Sequence, residues 1–200
     1  SHRKPTKGSP AGSPFLVTGD QKMSALDFTV KIAEPIRTER LTLRAPARED
    51  VAAMAALANN KRIHKWLSRL PHPYGESDAI DFIDNKSRSA ESFAFSVVLR
   101  EIGFIGVTGF HLEAEDRPEL GYWLGEPHWG NGYATEAMAG LLNAVAETGC
   151  TKLFARALSE NGPSRRVLEK SGFKKTGSEI GMCGTHLGVS ITSYEWEPER

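Results

Sequence analysis

The chain has 200 residues, 40% of them apolar and 25% charged, and its 25 basic and 25 acidic side chains cancel. That mixture fits one globular domain with a core of its own, and the zero net charge removes any global field for attracting nucleic acid or an anionic membrane surface. The absence of an apolar run near 18 residues argues against a spanning helix. Two cysteines are too few for a disulfide framework, and the six histidines form no H-E-x-x-H or similar metal-ligand pair. A cytoplasmic, metal-free protein is the expectation, and an anionic ligand would have to be held by local geometry.

The first 22 residues, SHRKPTKGSPAGSPFLVTGDQK, are rich in Gly, Pro, Ser and Lys and lack an apolar face. The stretch 1–26 therefore reads as a flexible tail, ahead of a single domain over 27–200. Met23 reads as a native start with added residues before it; a natural basic tail is the alternative. RLTLRAP (40–46) alternates apolar and polar residues and predicts a strand. REDVAAMAALANN predicts a helix with acids in its first turn and Val51, Met54, Ala55 and Ala58 on one face. GESDAIDFIDNKSRS predicts a second helix, capped by Ser77, with Ile80 and Ile83 facing inward. Between them, HKWLSRLPHPYG is a proline-broken loop. It is either a wall facing a substrate or a surface loop that packs Trp66 and Leu67 on the core.

SFAFSVVLR and GFIGVTGFHLE predict a hairpin turning near Glu101 and Ile102. PELGYWLG predicts a strand with Leu120, Tyr122 and Leu124 on one side, Glu119 and Trp123 on the other. Ala134, Ala137, Met138, Leu141, Leu142 and Val145 recur at spacings of three and four, which makes a helix with a buried stripe. KLFARAL (152–158) predicts a strand, GPSRRVLEKSG a short helix with Pro163 in its first turn, and VSITSYEW (189–196) a last strand. There is room for one more strand after Phe173. The fold class is α/β, one mixed sheet in a single domain.

GEPHWGNGYATEA (125–137) sets a bare turn against a helix start. Glycines there let backbone N–H groups converge on a phosphate, and the helix dipole adds favourable charge. The turn is neither G-x-x-x-x-G-K-[ST] nor a three-glycine dinucleotide fingerprint, so the pyrophosphate of another cofactor fits better. With ENGPSRRVLEKSGF about 25 residues further on and IRTERLTLRAPARED near the start, the chain resembles the GNAT N-acetyltransferase superfamily over roughly 36–196. Within it, the chain is similar to the branch of ribosomal-protein Ala/Ser N-terminal acetyltransferases.

That resemblance implies the acyl-CoA N-acyltransferase fold, a mostly antiparallel sheet with helices on both faces, and acetyl-CoA as co-substrate. The pyrophosphate pattern Q/R-x-x-G-x-G/A falls on Trp129, Gly130, Asn131, Gly132, Tyr133 and Ala134, with Trp129 in the first place; the amides of 130–135, Thr135 included, would cup the pyrophosphate. Tyr122, Trp123 and Leu124 would offer backbone groups to the pantetheine arm, and Asn161 would hold that arm with its side chain. Glu119 is either the general base for the amine or a carboxylate paired with a basic neighbour, with His111 as the reserve. The acid's usual tyrosine falls on Leu168, which cannot donate a proton; Ser164, one turn earlier, either takes over or caps its helix. Glu136 and Glu169 read as solvent-facing or helix-supporting acids, and neither Cys150 nor Cys183 has a basic partner suited to a nucleophile.

The implied acceptor is a primary amine, on a protein N-terminus or a small molecule. Other readings are an aminoglycoside or amino-acid acceptor and a non-catalytic acyl-CoA-binding module. A homodimer is compatible with the exposed strands of that branch.

Overall fold

The computed structural model describes residues 27–113, 117–181 and 186–198, and the expected tail over 1–26 and Cys183 lie outside them. Nine strands among the described residues form one sheet. They are β1 (Ile36–Arg37), β2 (Leu41–Arg44), β3 (Arg88–Ser89), β4 (Ser92–Leu99), β5 (Gly103–Glu113), β6 (Arg117–Leu124), β7 (Leu153–Leu158), β8 (Lys174–Ile180) and β9 (Ser190–Trp196). The helices are α1 (Val51–Ala58), α2 (Lys61–His64), α3 (Glu76–Asp81), α4 (Tyr133–Ala146) and α5 (Gly162–Lys170). Across the sheet the order is β1-β2-β4-β5-β6-β7-β9-β8, with β3 paired to β4. Every pairing is antiparallel except β6 with β7, where α4 serves as the crossover that a parallel pair requires.

Period-two alternation assigns the two faces. Leu120, Tyr122 and Leu124 of β6 join the main core with Met138, Leu141 and Leu142 of α4 and Leu168 of α5. Trp123 joins a second cluster with Phe104, Val107, and Met54 and Ala58 of α1. The α4 stripe is buried from Ala137 to Val145 as its spacing predicts, and each fully buried large side chain contributes about 1.5–3 kcal/mol.

Several local expectations are corrected. Ser77 does not cap α3: Gly75 is the N-cap, and its N–H donates to the Asp78 carboxylate at 2.8 Å. Ile83 packs in the second cluster but Ile80 does not, because Ala79 and Phe82 take the inward positions. The helix ends in a π turn over Phe82–Lys86. The single turn α2 leads into the proline-broken loop, and Leu70, not the Trp66 and Leu67 of the packing alternative, joins the second cluster. The segment after Phe173 is β8, an edge strand. At the start of α1, Asp50 is buried and accepts from both Arg44 terminal nitrogens at 2.8 Å, from Ser96 Oγ at 2.7 Å and from the Ala47 N–H at 3.0 Å. Burial pushes its carboxyl up, but these donors outweigh it and hold the group below its ordinary value.

Candidate active site

β6 and β7 touch in register only at Glu119 and Phe154. Beyond that point Gly121–Leu124 remain paired to β5, and Ala155–Leu158 to β9, so the two inner edges diverge. A gap in mid-sheet leaves backbone groups facing it that water or a ligand must satisfy. Tyr122 and Trp123 line one side. Leu124 closes the end, and its carbonyl accepts from the Trp129 indole N–H at 2.7 Å.

The glycine turn follows directly. Gly130 and Gly132 have φ of 77° and 81°, the left-handed region where a side chain is strained. Gly132 is the N-cap of α4 and contributes no capping side chain, so the amides of Tyr133, Ala134 and Thr135 begin the helix without a side-chain acceptor. The first helical bond runs from the Glu136 N–H to the Gly132 carbonyl at 3.0 Å. Asn131 closes the turn by donating to the Trp129 carbonyl at 3.1 Å. Arg40 lies against the turn: it donates to the Asn131 carbonyl at 3.0 Å and to Glu136 at 2.6 Å, and it sits 4.5 Å from the centre of the Tyr133 ring. Glu136 also accepts from Thr38 at 2.6 Å, so it fastens β1–β2 to α4. Burial raises its carboxyl, and the bonds from Thr38 and Arg40 outweigh that and leave it lowered. Sequence reasoning missed Arg40, although it stands in the RTERLTLR stretch; only the packing of that hairpin on α4 brings it to the turn.

On the other side of the gap, just after β7, Asn161 caps α5, its side-chain oxygen accepting from the Ser164 N–H at 3.2 Å. The capping alternative for Ser164 is thus filled by Asn161. Ser164 Oγ instead accepts from the Tyr122 hydroxyl at 3.3 Å, a contact sequence reasoning missed because strand and helix lie 42 residues apart. Leu168 is buried in the main core, so its position offers the gap no polar group. Glu169 accepts from the Tyr194 hydroxyl at 3.2 Å, a helix-supporting role.

Glu119 is 8% exposed and accepts from Arg156 Nε at 2.7 Å, while His111 Nε2 lies 3.7 Å from its other oxygen. The paired alternative for Glu119 is thus the one observed, at the point where β6 and β7 part. Nearby, His186 bonds to the Lys65 carbonyl and feels the charge of Arg156 and His64. Burial, then repulsion from those two groups, lowers its pKa despite that bond. His186 Nε2 and His72 Nδ1 are buried without a hydrogen-bond partner among the described residues. The rings of His64 and His72 stand 5.3 Å apart, so this wall is imidazole-rich. Cys150 is buried and donates to the Lys152 carbonyl at 3.5 Å; burial pushes its thiol up, against nucleophilic use.

The residues present fit acetyl-CoA. The two glycines form a cradle that a Cβ would strain, the helix start presents amides to an anion, and the gap matches an extended amide-bearing arm. No group of three or more possible metal ligands gathers among the described residues, and no described helix is long and apolar enough to cross a membrane.

Known proteins match this arrangement. Residues 40–174 match the acetyltransferase (GNAT) domain family. The uncharacterized N-acetyltransferase p20 of Bacillus licheniformis is 31% identical over 150 residues, 72% of this chain and 84% of that protein. A GNAT-family acetyltransferase from Bacillus anthracis superposes with a TM-score of 0.70 at 25% identity, over 82% of this chain and 98% of its own. A ribosomal-protein alpha-N-acetyltransferase, RimL, in complex with coenzyme A, superposes with a TM-score of 0.72 at 18% identity, over 82% of this chain and 98% of its own, a likeness of fold. The chain is an N-acetyltransferase and belongs to the GNAT family.

Proposed function

We propose that this chain transfers an acetyl group from acetyl-CoA to a primary amine by direct attack within a ternary complex. The observation that carries the reading is the gap between β6 and β7, flanked after β6 by the two-glycine start of α4 and after β7 by Asn161 and Ser164. Acetyl-CoA supplies the activated acyl group. The amides of 130–135 bind its pyrophosphate, backbone groups of Tyr122, Trp123 and Leu124 align the arm, and the Asn161 amide steadies it. Holding both reactants in register removes the entropy of encounter, which is a large part of the rate. Glu119 takes a proton from the amine, directly or through a water, and adds roughly 10²–10⁴-fold. Ser164 faces the departing sulfur.

The acceptor is the amine of a protein N-terminus or a small molecule. The test is a panel of peptides with Ala or Ser first, together with small amines and aminoglycosides. Thiol release and product mass are the readouts. Turnover of a peptide or monoamine is expected; turnover confined to aminoglycosides would overturn the acceptor class, and none with any amine would overturn the reaction.

A further inference from the structure

The Tyr122 hydroxyl donates to Ser164 Oγ at 3.3 Å, joining β6 to α5 across the inner end of the gap. A serine hydroxyl has one proton and two lone pairs. With a lone pair held by Tyr122, and with no carbonyl among the described residues accepting from Oγ, the serine proton has to point elsewhere. The Ser164 backbone N–H is itself fixed by Asn161, so the residue cannot swing away without breaking the cap of α5.

We infer that Tyr122 is a positioning residue: by donating to Ser164 Oγ, it turns the serine hydroxyl hydrogen toward the gap, where that hydrogen bonds to the sulfur of coenzyme A. The inference rests on the acetyl-transfer reading above. No proton need leave the serine, because a hydrogen bond to a thiolate stabilises its charge until solvent protonates it. Burial raises the Tyr122 phenol, an effect that the bond to Ser164 opposes without cancelling. Tyr122 therefore stays a donor at neutral pH. The arrangement also accounts for Leu168. The phenol that the wider superfamily carries on the helix is here supplied by the strand, one hydroxyl removed, which leaves position 168 to the core.

The experiment needs no acceptor. Calorimetric titration of the full chain with coenzyme A and with desulfo-coenzyme A, from pH 6 to pH 9.5, isolates what the protein does for the sulfur. The unmutated protein should prefer coenzyme A increasingly as pH rises, reaching roughly tenfold, the size of one hydrogen bond to a charged group. Ser164→Ala should remove that gain. Tyr122→Phe, which keeps the ring and the backbone, should remove most of it, read as the ratio of coenzyme A to desulfo-coenzyme A affinity. The double variant should lose no more than Ser164→Ala, because Tyr122 acts through Ser164. Ser164→Thr, which keeps a hydroxyl, should retain the gain only when Tyr122 is present. Equal pH dependence in the unmutated protein and Tyr122→Phe, or losses that add in the double variant, would overturn the inference alone. Failure of both ligands to bind the unmutated protein would overturn it together with the acetyl-transfer reading.

Discussion

Replacing Glu119 with Gln separates the proposed proton transfer from the anchoring of Arg156. The Glu119 side chain is 11% exposed, and that of Arg156, which bonds to it, is 35% exposed. A fully buried pair broken on one side costs about 3–5 kcal/mol, and an exposed pair less than about 1. This pair lies between those limits, and glutamine keeps a carbonyl for Arg156 Nε, so the expected loss of stability is about 1–2 kcal/mol. In a chain of this size that lowers Tm by about 2–8 °C. A general base contributes more to the reaction: kcat/KM should fall by roughly 10²-fold or more, at least about 2.7 kcal/mol of transition-state stabilisation. The deficit should widen as pH falls and more of the amine arrives as ammonium. The assay is a pH series of kcat/KM well below Tm, beside calorimetric titration with acetyl-CoA, whose affinity should survive. Arg156→Gln should reproduce the loss of stability without the same loss of rate. If Glu119→Gln melts lower but turns over fully at every pH, the residue only anchors Arg156, and His111 becomes the base to test.

Gly132→Val should weaken coenzyme A binding more than tenfold in calorimetry, since a β-branched residue at φ 81° cannot hold the cradle; the same strain should cost about 1–2 kcal/mol in thermal unfolding. Unchanged affinity in a folded variant would place the pyrophosphate elsewhere. Asn161→Ala should lower coenzyme A affinity less than tenfold and stability by about 1 kcal/mol, because the same side chain caps α5; undiminished stability would refute the cap. Asp50→Asn should destabilise by about 2–4 kcal/mol at pH 7 in denaturant melts. The native carboxyl is held below its ordinary value, so its contribution is fully present above about pH 4 and disappears as pH falls through the lowered value. The gap between the two proteins should therefore close in acid, and a constant gap would contradict the assignment.

Local pattern was legible wherever one physical rule dominated. The stripe of α4 and the alternation of β6 are periodicities, and the turn at 130–132 carries glycines because only they accept its backbone. What stayed hidden was set by distant packing. Arg40 reaches the glycine turn across 91 residues, and Tyr122 reaches Ser164 across 42, and nothing in either local sequence marks the partner. Ser77 misled because serine is a common cap, whereas the chain enters α3 at Gly75, whose own N–H the Asp78 carboxylate accepts. An anion held by amides has no need of the Trp129 side chain, whose indole N–H instead fixes the end of β6. Arg62 stands 5.8 Å from the Trp129 ring centre, and Arg62 and Asn60 both bond to Glu126. The turn is thereby anchored to the strand that lines the gap.

The placement of Glu119 and Tyr122 follows from the pleat itself. Three residues apart on one strand, they project from opposite faces of the sheet. Glu119 stands with Trp123 on the face covered by α1 and α3, and Tyr122 with Leu120 and Leu124 on the face covered by α4 and α5. Direct attack needs a proton acceptor where the amine approaches one face of the planar thioester and a hydrogen-bond donor beside the sulfur, which lies in that plane, so the two groups stand on different sides of the reacting centre. A closed sheet would keep those two sides apart. Here β6 parts from β7 just after Glu119, so the strand's two faces meet through the gap. One β-strand can then present the group for the incoming amine to one side and, through Ser164, the group for the departing sulfur to the other.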